Sequence, residues 1–416
     1  MSDNIIHINE HKFCYSLTEN ELFAILKDPN QLIESVDFLN KRFQTGYFIG
    51  LTWLADTGKA LYVTPKLDSS SYQIDYLRML TESLKHPEIL KHGDELFKIE
   101  FDKNPVKINQ QQDLITPLIL VYFLQVVQTI VRKGLKKGYY KVENNLYGKV
   151  KGKVLISQTL KQNVFKNKNL NTICTYDKFG LNHPENRILK KALLFVRRYL
   201  KMGFQKDKGL ETVLSYIFPA FNEIDENISI NEVKSTKHNP FYSEYKRAVD
   251  LAKIILKRFG FNINFINENE EIEIPPFWIN MPLIFELYVL GKLKDSLGRK
   301  DIIFQSSANY GNLDFLRITK DKEIVIDSKY KPQYKKEDYL IEDIRQLSAY
   351  ARDKGTLKKL NIPSDNFKQT VLNCLIVYPD QEAQNTLAEE RLFENKINQF
   401  ERFYKVGISI PEISTI

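Results

Sequence analysis

Residues 312–331 read NLDFLRITKDKEIVIDSKYK, and their pattern decides the fold of the C-terminal region. Leu313, Phe315 and Ile318 lie in one extended run and Ile324, Val325 and Ile326 in the next, with residues 319–322 breaking them. A turn centred on Lys320 and Asp321 pairs positions that sum to 641, which sets Asp314 opposite Asp327. Like charges directly opposite destabilise a strand pair, and a cation between them reverses the penalty. Lys329, two residues past Asp327, projects on the same face. Two carboxylates and an ammonium on one face of a hairpin make a metal-hydrolysis constellation. Hard Mg²⁺ takes one or two carboxylates and keeps its waters; such an ion can activate water and stabilise charge on phosphate oxygens. Asp-x-Lys alone is common, and a solvated hairpin with ordinary surface charges is the competing reading.

The flanks shift the weight. Residues 282–297 read as a helix with Asn280 as its N-cap, and 301–305 as a strand. Residues 337–353 read as a second helix, with Leu340, Ile344, Leu347 and Ala351 as its apolar stripe. Residues 370–378, TVLNCLIVY, read as a buried strand. The order helix, three strands, helix, strand, with Asp…Asp-x-Lys on the strands, resembles the PD-(D/E)xK nuclease superfamily. Leu313 stands where its Pro would be, a frequent departure. Gln346 and Tyr350, at i and i+4 on one helix face, match the QxxxY pattern of its RecB-like branch.

Outward from this core, 416 residues imply two or three domains. The net charge of +8 is uneven: residues 132–206 hold 19 Lys and Arg against Glu143, Asp177 and Glu185, or +16, so the remainder nets to −8. A block this basic reads either as a polyanion-binding surface or as a solvated face in a chain rich in Lys, Asn and Ile. Cys14, Cys174 and Cys374 make no CxxC pair, so neither a zinc knuckle nor a disulfide framework is indicated, and a reducing, cytoplasmic compartment fits. No signal peptide is visible. The apolar run 114–131 contains Pro117, Gln125 and Gln128 and reads as a buried helix, not a membrane span. No GxxxxGK[ST] phosphate loop occurs, so P-loop nucleotide hydrolysis is excluded.

Residues 1–112 read as an N-terminal α/β domain. Residues 5–15 are strand-like, 19–27 and 29–43 helix-like, 47–54 and 59–65 a hairpin turning at Asp56-Thr57-Gly58, and 72–85 helical. His7, His11, His86 and His92 match no metal motif. Residues 113–268 read as a basic, largely helical middle domain. Gly148 and Gly152 punctuate a curved or bulged strand within 139–160. Helices follow at 181–200, capped by Asn182 or His183 with Pro184 in the first turn, and at 242–259. After an acidic turn at 267–273, Pro275-Pro276 marks the boundary to a nuclease domain, 269–416. The fold class expected is therefore mixed α/β (α+β).

Several short motifs in this order resemble the McrC family, the nuclease subunit of McrBC-type modification-dependent restriction systems. They are Gly148-Lys-Val-Lys-Gly-Lys-Val154, His183-Pro-Glu-Asn-Arg187, residues 239–256 around a Tyr-containing helix, Phe285-Glu286, Leu313-Asp314, Asp327-Ser-Lys329 and residues 343–350. The match is best over about 135–378.

The resemblance implies an Mg²⁺-dependent endonuclease, with Mn²⁺ able to substitute, acting on DNA in phage defence. It also implies a separate McrB-like AAA+ GTPase hexamer that recognises modified DNA and translocates, and whose GTPase the McrC-like subunit stimulates. Residues 1–130 are then the candidate docking region. In this reading Asp314 and Asp327 hold the metal and Lys329 orients the attacking water. Glu286 either faces the metal or is a surface residue. Gln346 and Tyr350 contact the phosphate backbone, brace Lys329 or simply pack. Lys151, Lys153, Arg187, Arg197 and Arg198 are the DNA-binding candidates of the basic region. The alternatives are a stand-alone RecB-like exonuclease and a non-cutting DNA-binding adaptor of a motor.

Overall fold

The computed structural model describes residues 5–15, 18–27, 30–54, 57–68, 72–83, 93–100, 103–109, 115–203, 208–233, 243–259, 271–308, 311–319, 323–336 and 339–414. The expected turn centres at Asp56 and at Lys320 and Asp321, and most of the acidic turn after 267, lie outside them. The protein is mixed α/β. It divides into two compact units, residues 1–117 with 267–416, and residues 118–266.

The first unit is built on two main sheets. The six-stranded one runs in the order Ile302–Ala308, Gly311–Arg317, Ile324–Ser328, Asn373–Pro379, Phe403–Ile408 and Asn395–Lys396. Its first three strands are antiparallel, and Ile324–Ser328 then pairs in parallel with Asn373–Pro379. A parallel pair needs a crossover, which contains the helix Ile341–Arg352. Phe315↔Ile326, Leu316↔Val325 and Arg317↔Ile324 pair across the hairpin, so the expected register of 641 holds. Ile324, Val325 and Ile326 are all wholly buried, as a central strand with both faces covered requires.

The helix Met281–Leu297 begins as expected: the Asn280 side chain accepts a hydrogen bond from the Leu283 amide at 3.1 Å, with Pro282 in the first turn. The second helix starts at Ile341, not at 337. A 3₁₀ turn, Pro332–Lys335, precedes it, and Leu340 occupies its N-cap position. The reason is tertiary: Tyr334 is wholly buried and donates to Asp343, which holds the chain in the tight turn.

The second sheet of this unit runs Ile5–Asn9, Lys59–Thr64, Phe48–Leu54, Phe277–Asn280 and Phe97–Ile99. The 277–280 strand lies between two strands of the N-terminal segment. The segments 1–112 and 269–416, expected as separate domains, therefore share one sheet and fall in one compact unit. Gly50 permits the closest approach. Its φ is +149°, and a Cβ there would lie 2.2 Å from the Phe277 carbonyl oxygen.

Residues 29–43, expected as a helix, instead form Ile33–Asp37 and Arg42–Thr45, paired antiparallel. Lys41 is left-handed at φ +48°. Asp37 fixes the turn, accepting from the Asn40 amide at 3.1 Å and from Arg42 Nε at 3.0 Å. Residues 5–15 break into Ile5–Asn9 and Phe13–Cys14 at left-handed His11. Tyr72–Ile74 is a strand paired with Glu412–Ser414, and the helix there is Tyr76–Ser83.

The expected helices form at Ile115–Lys133, Pro184–Gly203 and Ser243–Phe259, the last two wholly within the second unit. That unit is less helical than expected, because Gly138–Tyr147, Asn171–Gly180 and Lys153–Val154 form a three-stranded sheet. Gly148 and Gly152 are both left-handed. A Cβ on Gly152 would meet the Thr175 carbonyl oxygen at 2.5 Å.

Candidate active site

The hairpin register sets Asp314 beside the chain segment that carries Asp327 and Lys329. Asp314 Oδ2 accepts two hydrogen bonds from Ser328, one from its amide and one from its hydroxyl, both at 2.8 Å. Asp327 is only 2 % exposed. The Lys329 ammonium pairs with Asp327 Oδ2 at 2.6 Å. Lys329 Nζ also donates to Gln346 Oε1 at 2.8 Å and stands 3.7 Å from Asp343 Oδ1.

The electrostatics follow from crowding acids out of water. Burial pushes the Asp327 carboxyl up to about 7, the charge of Asp314 adding and Lys329 opposing. Burial also raises Asp314, against the two Ser328 hydrogen bonds and Lys329. Burial alone would lower the Lys329 ammonium; Asp327, Asp343 and Asp314 together carry it above its ordinary value. Glu286, on the first helix, is brought to this group. Burial and then the charge of Asp314 raise it to about 9, with Asp327 adding and a hydrogen bond with Gln305 opposing.

One buried and two half-buried acids against one ammonium form a donor set that fits a hard divalent cation. The fit is to a site with few protein ligands. Among the described residues, no group of three or more His, Cys, Asp or Glu side chains is arranged to hold a metal ion, so Glu286 does not close a three-acid cage. Two carboxylates with the remaining positions left to water is the usual Mg²⁺ arrangement.

Gln346 therefore lies at Lys329, whereas Tyr350 is 7 % exposed and packs in the core with Leu313, Ile344 and Leu347. Sequence reasoning missed three residues. Gln305 lies opposite Asp314 in the 302–308 and 311–317 ladder, is left-handed at φ +46°, and hydrogen-bonds Glu286. Ser328 is the tether. Asp343 accepts from Lys331 Nζ with both oxygens at 2.9 Å and from the Tyr334 hydroxyl at 2.7 Å. Its place three residues before Gln346, on the same helix face, was the available signal.

Of the basic candidates, Lys151, Lys153, Arg197 and Arg198 are exposed. Lys151 lies over the Tyr176 ring at 4.3 Å and Arg197 over Phe218 at 4.4 Å. Arg187 differs. It pairs with Asp225 at 3.2 Å, bonds the Asn227 carbonyl, and is largely covered. Its neighbours in the 183–187 motif are also internal. Glu185 pairs with Lys136 at 2.8 Å, and Asn186 bonds the Lys136 and Leu181 carbonyls and the Tyr245 hydroxyl. These contacts tie the motif into the second unit, with Arg187 engaged by Asp225 and the Asn227 carbonyl.

A profile described as "McrBC 5-methylcytosine restriction system component" matches residues 44–359, most of the chain and all the residues of the site. The chain belongs to this McrBC family. No curated protein matches it. Two solved structures are similar at low identity. One is a half-complex of Thermococcus gammatolerans McrB AAA+ hexamers with bound McrC, at 15 % identity and TM-score 0.37, covering 97 % of this chain and 94 % of that one. The other is the T. gammatolerans McrBC complex, at 14 % identity and TM-score 0.30, covering 70 % and 87 %. In this McrBC family member, no helix among the described residues is long and apolar enough to cross a membrane. Its three cysteines are free and buried.

Proposed function

We propose that this protein is the McrC-like, DNA-cutting subunit of a McrBC-type restriction system: an Mg²⁺-dependent endonuclease of the PD-(D/E)xK type, brought to modified DNA by a McrB-like AAA+ GTPase. The observation that carries the reading is the convergence of buried Asp327 with half-buried Asp314 and Lys329 at the hairpin register. Membership of a restriction-component family supports it. So does the order of the helix Met281–Leu297, three antiparallel strands, the helix Ile341–Arg352 and a parallel strand.

In this reading Asp314 and Asp327 hold Mg²⁺, or Mn²⁺ in its place, and Glu286 stands by them. When bound, the cation supplies an activated water and offsets charge on the phosphate oxygens. Lys329 orients the attacking water and balances charge on phosphorus. Its raised pKa keeps it an ammonium, so it acts as a donor and not as a general base. Gln346 fixes where that ammonium points. Exposed Lys151, Lys153, Arg197 and Arg198 attract the DNA backbone.

The chain has no phosphate loop of its own, and a lone nuclease with a +16 segment would bind host DNA without regard to sequence. A partner that couples nucleotide hydrolysis to delivery answers both points. The test is to assay the chain alone and with a McrB-like AAA+ GTPase on 5-methylcytosine and plain duplexes, with Mg²⁺, Mn²⁺ or chelator. Cleavage of methylated DNA only by the pair, with faster GTP hydrolysis and none with chelator, is expected. Vigorous cutting of plain DNA by the lone chain, with no effect on the GTPase, would replace this reading with a stand-alone exonuclease. GTPase stimulation without cutting in either metal would make the chain an adaptor.

A further inference from the structure

We infer that Lys66, in the turn that follows the strand Lys59–Thr64, is a positioning residue for Lys329: its ammonium holds the main chain of the residue that follows, Tyr330. The inference rests on the nuclease reading. The Lys66 ammonium donates to the Tyr330 carbonyl oxygen at 2.5 Å, across 264 positions of sequence.

The segment that Lys66 grips is where the chain leaves the sheet. The Lys329 amide still donates to the Val377 carbonyl at 2.8 Å, and the Lys331 amide turns back to the Lys329 carbonyl at 2.7 Å. The Tyr330 carbonyl takes part in neither of these two bonds. Lys66 is the cation that meets it. The bond fixes the peptide one residue beyond Lys329 and so limits how far the 329–331 turn can carry the Lys329 ammonium from its place between Asp327 and Gln346.

The surroundings of Lys66 hold it to this task. Its ammonium lies 3.9 Å from the centroid of the Tyr330 ring and 4.6 Å from that of Tyr47, a cation between two aromatic faces. Its amide donates to Glu10 Oε1 at 3.0 Å, and Glu10 is wholly buried. The other Glu10 oxygen and the Tyr330 hydroxyl occupy the same pocket without completing a hydrogen bond of full geometry. Desolvating an ammonium and a carboxylate is costly, and apolar side chains of similar volume commonly do the structural part at least as well. A pure staple between sheet and loop would not need the charge. A carbonyl that must be held within a fraction of an ångström, one residue from a group that orients the nucleophile, does: a misplacement of about 1 Å in such a group can cost about 100-fold in rate.

The experiment uses the full chain with a McrB-like AAA+ GTPase, GTP, Mg²⁺ and a 5-methylcytosine duplex. It compares the native protein with Lys66→Met, which keeps the stem and removes the charge, and Lys66→Arg, which keeps a cationic donor. Lys66→Met is expected to lower the cleavage rate at saturating DNA by roughly 10- to 100-fold. The half-saturating DNA concentration and the GTPase stimulation should stay within about twofold, as expected of a group that does not touch DNA. Lys66→Arg should recover most of the rate. In metal-free protein alone, amide hydrogen exchange across 329–332 should accelerate in Lys66→Met while that of 324–328 does not. Lys66→Gln is read in the same way should Lys66→Met not fold.

Native rate and native exchange in Lys66→Met would overturn the inference. So would a loss of rate that tracks lost GTPase stimulation and lowered melting temperature, with no recovery in Lys66→Arg. If the native protein cuts no DNA, the nuclease reading falls, and the exchange measurement still decides whether Lys66 holds the 329–332 segment.

Discussion

Asp314 and Ser328 are joined twice: one carboxylate oxygen accepts from both the amide and the hydroxyl of the serine at 2.8 Å. The tether ties the central strand of the hairpin to the residue between Asp327 and Lys329, so three groups from two strands move as one body. Asp314→Asn, Asp327→Asn and Lys329→Ala should each abolish cleavage by the assembled system while leaving GTPase stimulation intact. Full cleavage by Asp327→Asn would refute the site assignment.

Gln346 and Tyr350 should separate cleanly. Hydrogen bonds to charged groups contribute about 1.5–3 kcal/mol, so Gln346→Ala should slow cleavage about 10- to 100-fold with little change in melting. Tyr350→Phe keeps the core packing and should leave the rate within about twofold, whereas Tyr350→Ala should cost about 3–5 kcal/mol of stability, the range for emptying a large buried aromatic site. Cleavage kinetics and thermal melts distinguish them, and a rate loss in Tyr350→Phe would return that hydroxyl to the site.

DNA binding should depend on salt through the exposed basic groups. Each phosphate that the protein no longer neutralises lowers the slope of log affinity against log salt by about one unit. Neutralising Lys151 with Lys153, or Arg197 with Arg198, should flatten that slope. Arg187→Ala should leave it unchanged and lower the melting temperature, because Asp225 loses its partner. An unchanged slope in both double variants would mean that the lysine richness is only a solvated face.

Stability should carry a pH signature from Glu10. Burial pushes its carboxyl up from 4.5 to about 7, with Asp68 adding and with Lys66 and Tyr330 opposing. The folded protein then keeps a proton that the unfolded chain releases, so stability falls as pH rises through that interval. Lys66, lowered by burial to about 8 against the pull of Glu10, runs the other way: its cost is present below about 8 and relieved above it. Melting in metal-free buffer between about pH 4.5 and about pH 7.5 tests the first limb. The difference Glu10→Gln minus native should grow more positive with pH, and a flat difference would contradict it.

Removing residues 1–130 should unfold residues 267–416 instead of merely uncoupling them from a partner. The 277–280 strand would lose both neighbours, 48–54 and 97–99, and the helix Met281–Leu297 would lose the helix Tyr76–Ser83 that packs on it. Circular dichroism and thermal melts of residues 131–416 check this, and a cooperative melt near that of the full chain would contradict it.

The sequence by itself determined the elements whose signals are local. Two apolar runs, 313–318 and 324–326, with a polar break at 319–322 gave the hairpin and the turn centre that fixes its register. Asn280 and Pro282 marked a helix start because the backbone there needs a side-chain acceptor and tolerates a missing amide proton. The same local logic misread 29–43. Leu32, Val36 and Leu39 recur at helical spacing, but Leu32 and Phe43 are wholly covered in the N-terminal core, and that burial outweighs propensity. Only the tertiary structure decided that the N-terminal and C-terminal segments share a sheet, that Arg187 pairs with Asp225, and that Lys66 reaches Tyr330. Each depends on groups far apart in sequence, brought together by burial of surfaces that no single stretch contains. Asp314, Asp327 and Lys329 were legible because one hairpin carries all three; Gln305, Asp343 and Lys66 were not, because separate elements deliver them.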